Sequence, residues 1–384
     1  MGFTGKSTYT AGVNLPELAE DVGDLVSIVS PYETPLLDAL GDPMHAATST
    51  RHEWLEDELL PNSDCINQPG LADGALNNVV MAVNDGSRFR VGDQIRCAGS
   101  PEIMLVTLVN GNTLTFTRGY GGTQKKAMVD GATLQILGNA ALEGAEAGDA
   151  RFTVRTRQSN YTQIFSATVQ VSGTEAAVRQ IAVDDEMDYQ KTNRLRELLR
   201  DLENTTINGV APTATPQGSS TVRRTMRGII PSLTSNVLDP GTGYVPANSE
   251  LSEASLNGAL RMIWEASGSR PDLIVCGGGQ KRRINGFIQT SQRFSPSNET
   301  YKNLVSVYES DFGVCRVVLS RCVPPSMVLL LDSSRISVLP LMGRSFQFKP
   351  LAVTGDYESG EIVGEYTLEL RNEKCHGVLR NFNP

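Results

Sequence analysis

The stretch TEAAVRQIAVDDEMDYQKTNRLRELLRDLENTT, from Thr174 to Thr206, contains neither proline nor glycine. Its apolar residues recur in steps of three and four, which is the spacing of one face of an α-helix. This stripe is made of Val178, Ile181, Ala182, Leu195, Leu198, Leu199 and Leu202. A continuous helix over the stretch would be about 45 Å long. We therefore predict a helix that braces an extended architecture rather than one that lines a pocket.

The charges of this stretch follow the dipole of a helix. Acidic residues come first, at Asp184, Asp185, Glu186 and Asp188, and basic residues follow at Arg194, Arg196 and Arg200. Negative charge near the first turn and positive charge near the last turn both stabilise a helix. Asn208 and Gly209 form a stop signal, so the helix is predicted to end there.

The chain before the long helix is rich in strand patterns. Residues 1–13 read as an arm, and residues 14–30 have the apolar spacing of an amphipathic helix. From about 79 to 137, short apolar runs are split by Gly, Asn and Asp, and Asn110-Gly111 is a hairpin signal. We predict a compact β module there. The segment FTVRTRQSNYTQIFSATVQVSG, Phe152 to Gly173, then predicts a long β run.

The chain after the long helix mixes helix and strand patterns. A loop rich in Pro, Ser and Thr (211–228) is followed by a serine-capped amphipathic helix at 249–268. PDLIVCGGGQKRRINGF, Pro271 to Phe287, predicts a strand, a glycine turn and a helix. Further strands follow, and the chain ends with two strands joined around Asn372–Lys374.

The glycine turn raises the alternative of a phosphate-binding loop. A P-loop needs Gly-Lys-Ser/Thr at its end, whereas Gly279 is followed by Gln280 and then by Lys281, Arg282 and Arg283. The dinucleotide pattern G-x-G-x-x-G fails as well, because Arg282 occupies the place of its last glycine. Glycine is common in such turns because it tolerates positive φ. We favour a turn without a ligand, and a nucleotide-dependent enzyme using Gly277–Arg283 stays open.

Composition excludes several classes of protein. The 384-residue chain has a net charge of −9, which is unsuited to a sequence-reading nucleic-acid binder with its basic stripe. The six cysteines form no C-x-x-C pair and are predicted to be reduced, and the three histidines form no H-E-x-x-H motif. There is no signal peptide and no apolar run that could span a membrane, so no membrane partner is expected. We predict no catalytic, cofactor or metal site.

The order of these elements resembles the HK97-type fold of the major capsid proteins of tailed bacteriophages. It runs from an arm and helix through a long β excursion and a long helix to a mixed α/β portion and a terminal strand pair. SPYETPLLDALGD (30–42) is similar to a P-x-x-T-P-hydrophobic segment of one branch of these proteins, as is HEWLEDEL (52–59). The resemblance covers nearly the whole chain, and it rests on the joint arrangement of short motifs.

The resemblance implies an α+β, HK97-like capsid fold with named domains. They are an N-terminal arm and helix (1–47), an extended β E-loop region (48–173) with an inserted small β-barrel-like module at about 79–137, a P-domain spine helix (174–215), an A-domain (216–340), and terminal strands that return to the P-domain (341–384). In such capsids the E-loop lies over the P-domain of a neighbouring subunit. The strand from Phe152 to Gly173 therefore need not be buried within its own chain.

The function implied by the resemblance is structural rather than enzymatic. A major capsid protein self-assembles as hexamers and pentamers into the icosahedral shell around a phage dsDNA genome. Its expected partners are copies of itself, a portal protein and packaged dsDNA. Because little chain precedes the arm, we also expect either a separate scaffold or cement protein, or no scaffold. The expected location is the virion capsid, assembled in the host cytoplasm.

Particular residues receive expectations from the same resemblance. Lys281, Arg282 and Arg283 would contact acidic neighbours on other subunits or, weakly, DNA phosphates. Some relatives cross-link a Lys of the E-loop to an Asn of the P-domain, but no cross-link is expected here between Lys125 or Lys126 and Asn372. A tail or fibre component is the alternative, for which the β module is suited and the long helix is not.

Overall fold

The computed structural model describes residues 33–69, 78–144, 146, 150–177, 185–291 and 307–383. The chain divides into two compact units. The smaller unit is Leu55–Thr156, and the larger unit combines Met1–Trp54 with Arg157–Pro384. The predicted arm at 1–13 and the predicted helix at 14–30 lie outside the described residues.

The larger unit contains both helices and strands. Its helices are α1 (Pro35–Leu40), α2 (Gly173–Ala177), α3 (Glu186–Asn208), α4 (Ile229–Ser232), α5 (Glu253–Ser267) and α6 (Gly278–Ser291). Two strands, β1 (Arg51–Glu56) and β8 (Thr156–Tyr161), pair with each other. The remaining strands of this unit are β9 (Gln163–Ser172), β10 (Val237–Leu238), β11 (Leu273–Cys276), β12 (Val307–Ser310), β13 (Gly313–Leu319), β14 (Val328–Leu331), β15 (Ile336–Pro340), β16 (Gln347–Pro350), β17 (Tyr357–Leu370) and β18 (Gly377–Leu379).

A six-stranded sheet, in the order β10-β18-β14-β11-β13-β12, forms one half of the larger unit. Every residue of β11 and β14 is buried, because apolar side chains cover both faces of the sheet. Leu256 and Ile263 of α5 pack on one face, and Leu198 and Leu202 of α3 belong to the core on the other. Burial on two faces explains why these strands read as unbroken apolar runs.

The glycine turn after β11 leads directly into α6, which confirms the predicted strand, turn and helix. The reason given for the glycines was wrong, however. None of Gly277, Gly278 and Gly279 has a positive φ. A Cβ at Gly277 would make only ordinary contacts, 3.7 Å from the Val323 carbonyl oxygen, and one at Gly278 would meet nothing within 4 Å. Neither backbone strain nor lack of space therefore requires glycine at these two positions.

A four-stranded sheet is built around the 14-residue strand β17. Strands β15 and β16 pair with one edge of β17, and β9 pairs antiparallel with the other edge over ten residues. The β9 side chains Phe165, Val169 and Val171 are buried in their own chain. The expectation that the run from Phe152 to Gly173 need not be buried within its own chain therefore does not apply to these three residues, whereas Phe152, Val154 and Ile164 are exposed.

The two terminal strands do not form a pair. β17 lies in the four-stranded sheet, whereas β18 lies between β10 and β14 in the six-stranded sheet. A short 3-10 turn, Glu373–Cys375, carries the chain from one sheet to the other. The predicted strand pair at 341–384 is corrected accordingly, since alternation identifies a strand but does not identify its neighbour.

The long helix α3 begins later than predicted. Asp185 has extended backbone angles, and its carboxylate accepts the backbone N–H groups of Met187 (2.9 Å) and Asp188 (3.2 Å) as an N-cap. The 23-residue helix α3 ends at Asn208, as predicted. It is about 34 Å long rather than 45 Å. Leu198 and Leu202 are buried, but Leu195 is exposed, and Val178, Ile181 and Ala182 lie outside the described residues.

The smaller unit contains a closed β barrel. Its strands are β2 (Ser63–Cys65), β3 (Asn78–Ala82), β4 (Asp93–Cys97), β5 (Ile103–Asn110), β6 (Thr113–Thr117) and β7 (Thr133–Asn139), in the order β2-β7-β4-β5-β6-β3. An antiparallel bridge between Ile66 and Val83 joins the two ends of this sheet, with Asn67 N–H donating to the Ala82 carbonyl at 2.9 Å. The barrel-like module is thus confirmed, with β2 added to the predicted span, and the Asn110-Gly111 hairpin connects β5 to β6.

A fully buried ion pair fixes one loop of the barrel. The Arg118 guanidinium donates from Nε to Glu102 Oε1 (2.9 Å) and from Nη2 to Oε2 (2.7 Å), and both side chains have no exposed area. The same carboxylate accepts the N–H groups of Gly119 and Lys126. Burial alone would raise the pKa of Glu102, but these hydrogen bonds and the Arg118 charge lower it.

Candidate functional site

The three predicted cations do not form one patch. They occupy consecutive positions of α6, so their side chains point in different directions. Lys281 lies against β13 and donates to the Val317 carbonyl (3.2 Å). Arg282 is exposed, and Arg283 is half-buried. An ion pair of these residues with another subunit stays a prediction.

The glycine turn is packed against other segments of the same chain. Gln280 is fully buried, and its Nε2 donates to the carbonyl oxygens of Pro325 (3.0 Å) and Asn383 (2.6 Å). Burial also raises the pKa of the neighbouring Cys276 thiol to about 12. A neutral thiol, together with an amide nitrogen that donates two hydrogen bonds within the chain, supports a packing role for this turn over a phosphate site.

The main polar cluster, which the sequence analysis missed, lies on one face of β17. Strand alternation places Thr367 and Glu369 on the face opposite Leu368. Both the apolar face and this polar face are buried. Glu365 on the same face accepts Thr162 Oγ1 (2.6 Å), Arg224 Nη2 (2.6 Å) and Arg344 Nε (2.9 Å). One carboxylate thus connects three segments that are far apart in the sequence.

Glu369, like Glu365, is a buried carboxylate that contacts several side chains, and two of its partners are histidines. Its Oε2 lies 2.7 Å from His52 Nε2 and 3.5 Å from His45 Nε2, and its Oε1 lies 3.3 Å from Arg371 Nε. The hydrogen bond from His52 lowers the pKa of Glu369, outweighing the effect of burial. Glu369 is therefore an anion at neutral pH that fastens β1 and the segment before it to β17.

This cluster, which we call the β17 lock (Glu365 and Glu369 with their partners), fastens the segments next to β1 and β8 to β17. The Thr162 N–H donates to the Thr50 carbonyl at 2.9 Å, which joins the residue after β8 to the residue before β1. Each carboxylate of the lock is paired with at least one arginine, so neither is arranged as a general base. Among the described residues, no group of three or more His, Cys, Asp and Glu is placed to hold a metal ion.

A second buried carboxylate, Glu203 of α3, caps helix α1. Its Oε2 accepts the N–H groups of Leu36 (3.1 Å) and Leu37 (3.3 Å), and its Oε1 accepts Ser320 Oγ (3.0 Å). The Thr34 side chain provides no cap, so Glu203 satisfies the first turn of α1 instead. Burial raises the pKa of Glu203, and the Asp38 charge adds to the effect. The segment PLLDAL is thereby attached to the long helix.

Large apolar side chains are exposed where the smaller unit begins and ends. Leu59 (86%), Leu142 (84%) and Phe152 (81%) are almost as accessible as in an unfolded chain. Leu60, Phe152 and Val154 line an open groove of about 730 Å³, together with Arg151, Thr153 and Arg155. Clustered apolar surface of this kind marks a site of interaction. Among the described residues, no helix is both long enough and apolar enough to cross a membrane.

Comparisons with known proteins agree with this architecture. A family model described as the SU10 major capsid protein matches residues 3–383. The major capsid protein of Escherichia phage Phieco32 is 22% identical over 340 residues, which cover 77% of this chain and 94% of that protein. The solved capsid asymmetric unit of cyanophage A-1(L) aligns with a TM-score of 0.54 at 13% identity, covering 96% of this chain and 98% of that one.

These matches settle the fold and the class of protein. The structural likeness confirms the predicted α+β, HK97-like fold. The function of a phage major capsid protein is also confirmed, and a tail or fibre component is not favoured. Because the family match spans almost every residue, the chain belongs to the SU10 major capsid protein family.

Proposed function

We propose that the chain self-assembles as hexamers and pentamers into the icosahedral shell that encloses a phage dsDNA genome. The apolar groove formed by Leu60, Phe152 and Val154 carries the proposal, since these side chains are exposed to water in a single copy. A neighbouring subunit would cover it in a shell. The E-loop, P-domain and A-domain boundaries remain part of this proposal.

The role is structural and not enzymatic. All three histidines have partners within the chain: His376 is buried, and His45 and His52 both face Glu369. Lys281, Arg282 and Arg283 would make the contacts between subunits or the weak contacts with DNA phosphates. We further propose a portal protein as a partner, with a separate scaffold or cement protein or with none, and assembly in the host cytoplasm. No Lys–Asn cross-link is expected.

Assembly is the direct test of this proposal. The chain would be expressed alone and with a candidate scaffold, then examined by sedimentation velocity and negative-stain microscopy. We expect hollow icosahedral shells, or capsomers of the size of pentamers and hexamers. A monomer or dimer under every condition would contradict the proposal. Binding of ATP at millimolar concentration would instead support the enzyme alternative.

A matched pair of variants tests the surface that carries the proposal. Phe152→Glu places a charge on the exposed apolar surface and should reduce shell yield at least tenfold. Phe152→Leu keeps the surface apolar and should assemble nearly as well as the parent chain. Equal yields from both variants would show that Phe152 does not lie in the interface between subunits.

A further inference from the structure

The faces of the barrel offer more surface to a partner than its strand edges do. Among the described residues, the sheet closes on itself through the Ile66–Val83 bridge, which leaves little edge for an added strand. The core side chains Leu114 and Phe116 point inward and are fully buried. The alternate side chains of the same strand, Thr113, Thr115 and Thr117, therefore point outward.

Three neighbouring strands combine these threonines into one uncharged surface. The register places Val80 of β3 opposite Thr115 of β6, and Thr115 opposite Leu108 of β5. Val80 (57%) and Leu108 (55%) are exposed on either side of that threonine. We call the surface the threonine face; it consists of Val80, Ala82, Leu105, Thr107, Leu108, Thr113, Thr115 and Thr117.

The absence of charge on this face is unusual for a solvated sheet. The sequences of β3, β5 and β6, NVVMA, IMLVTLVN and TLTFT, contain no charged residue, although a fifth of the chain is charged. Soluble sheets normally place charged side chains on exposed strands to prevent association. An exposed, uncharged face with apolar residues in its central row is suited to burial against another surface.

We propose that the threonine face docks against the barrel of a second copy of this chain. The face carries no charge that could pair with an acidic or basic partner or neutralise a phosphate backbone. Copies of a chain with a net charge of −9 repel one another, and an uncharged face is where they approach with least repulsion. Docking would also remove the exposed aliphatic side chains Val80 and Leu108 from water. The inference rests on the proposed assembly into a shell.

The size of the face predicts when the contact forms. Three strands about 4.8 Å apart and about five residues long cover roughly 240 Å². A stable complex of two free proteins needs about 800 Å² per partner. The threonine face is therefore too small to pair free subunits. It strengthens a shell in which other interfaces already hold the copies together.

Charge placed on the face is the test, in the full-length chain. Thr115→Arg and Leu108→Arg each put a cation on the face, and Leu137→Arg puts one on an exposed leucine of β7 outside it. The variants and parent would be assembled, and shell dissociation would be followed by light scattering in rising urea. We expect the two face variants to dissociate at clearly lower urea, with Leu137→Arg unchanged. Unassembled subunits should melt alike, which excludes misfolding.

Mixed shells test the pairing of copies directly. A shell that mixes Thr115→Arg and Thr115→Glu copies should recover the parent urea midpoint, because opposite charges then meet across the contact. Face variants as stable as the parent, equal loss in Leu137→Arg, or no recovery in mixed shells would each overturn the proposal. Failure of the parent chain to form shells would instead count against the proposed function.

Discussion

The two compact units bury their charged groups in different ways. In the barrel, Glu102 and Arg118 lie 16 residues apart and form an ion pair with no exposed area. The Glu102 carboxylate also accepts the backbone N–H groups of Gly119 and Lys126. In the larger unit, Glu203, Glu365 and Glu369 contact partners up to 317 residues away. Local burial favours a module that is stable by itself, whereas the long-range carboxylates join α1 to α3 and the segments around β1 and β8 to β17. The following predictions test this difference.

The largest effect is expected from breaking the barrel pair. Arg118→Met leaves the Glu102 carboxylate buried without its cation, which should cost about 3–5 kcal/mol of unfolding free energy. Hydrogen exchange should show the loss in β2–β7 and leave the six-stranded sheet protected. The double variant Glu102→Gln with Arg118→Met removes both charges and should be less destabilised. Equal loss of protection in both units would mean that the barrel is not self-sufficient.

Acid should weaken the larger unit through His376. Burial lowers its pKa from 6.5 to about 4, and its Nδ1 accepts the Asp332 N–H while Nε2–H donates to the Arg371 carbonyl. The unfolded chain binds the proton more tightly, so stability is full above pH 6.5 and falls as pH drops towards 4. The loss amounts to about 3 kcal/mol. Thermal melts should show this fall in stability with decreasing pH in the parent chain and not in His376→Gln. An equal fall in both would mean that other groups cause it.

Removing the charge of Glu369 tests the β17 lock. Glu369→Gln keeps the shape but replaces the charge-assisted bond to His52, which should cost about 1–3 kcal/mol. Because its pKa is lowered in the folded chain, the contribution is present at neutral pH and lost below the ordinary range of a glutamate. Amide exchange should rise at Thr162, whose N–H bonds Thr50, and not in the barrel. Arg51→Gln, at an exposed ion pair, serves as the control.

Residue patterns predicted the elements better than their partners. The serine cap of α5, the end of α3 and the Asn110-Gly111 hairpin were all predictable, because each depends on neighbouring residues. The start of α3 was not, since Thr174–Ala177 also favours helix and the Asp185 cap decides the boundary. The β17 lock was missed because alternation shows which side chains share a face. It cannot show that a second layer buries the polar face.

The same limit applies to the predicted cations. The sequence shows three adjacent basic residues but not their directions, which differ around the helix, and it does not show that Lys281 bonds a carbonyl of β13. The resemblance in element order succeeded for the whole fold because it used the sequence of elements along the entire chain. It gave no information on long-range partners such as Glu203 and Leu36, which only the folded chain brings together.

The smallest effect is expected at Glu203, where charge and hydrogen bonding oppose each other. Burial raises its pKa, so the ionised carboxylate costs free energy as pH rises through the folded-state value. Glu203→Gln keeps an acceptor for Leu36 and Leu37 without the charge, and should change stability by less than about 1 kcal/mol. Glu203→Ala leaves both N–H groups and Ser320 without that acceptor and should lose about 1–3 kcal/mol. Urea unfolding at neutral pH measures both variants. A large loss in Glu203→Gln would show that α1 depends on the negative charge itself, as the β17 lock does, rather than on an acceptor.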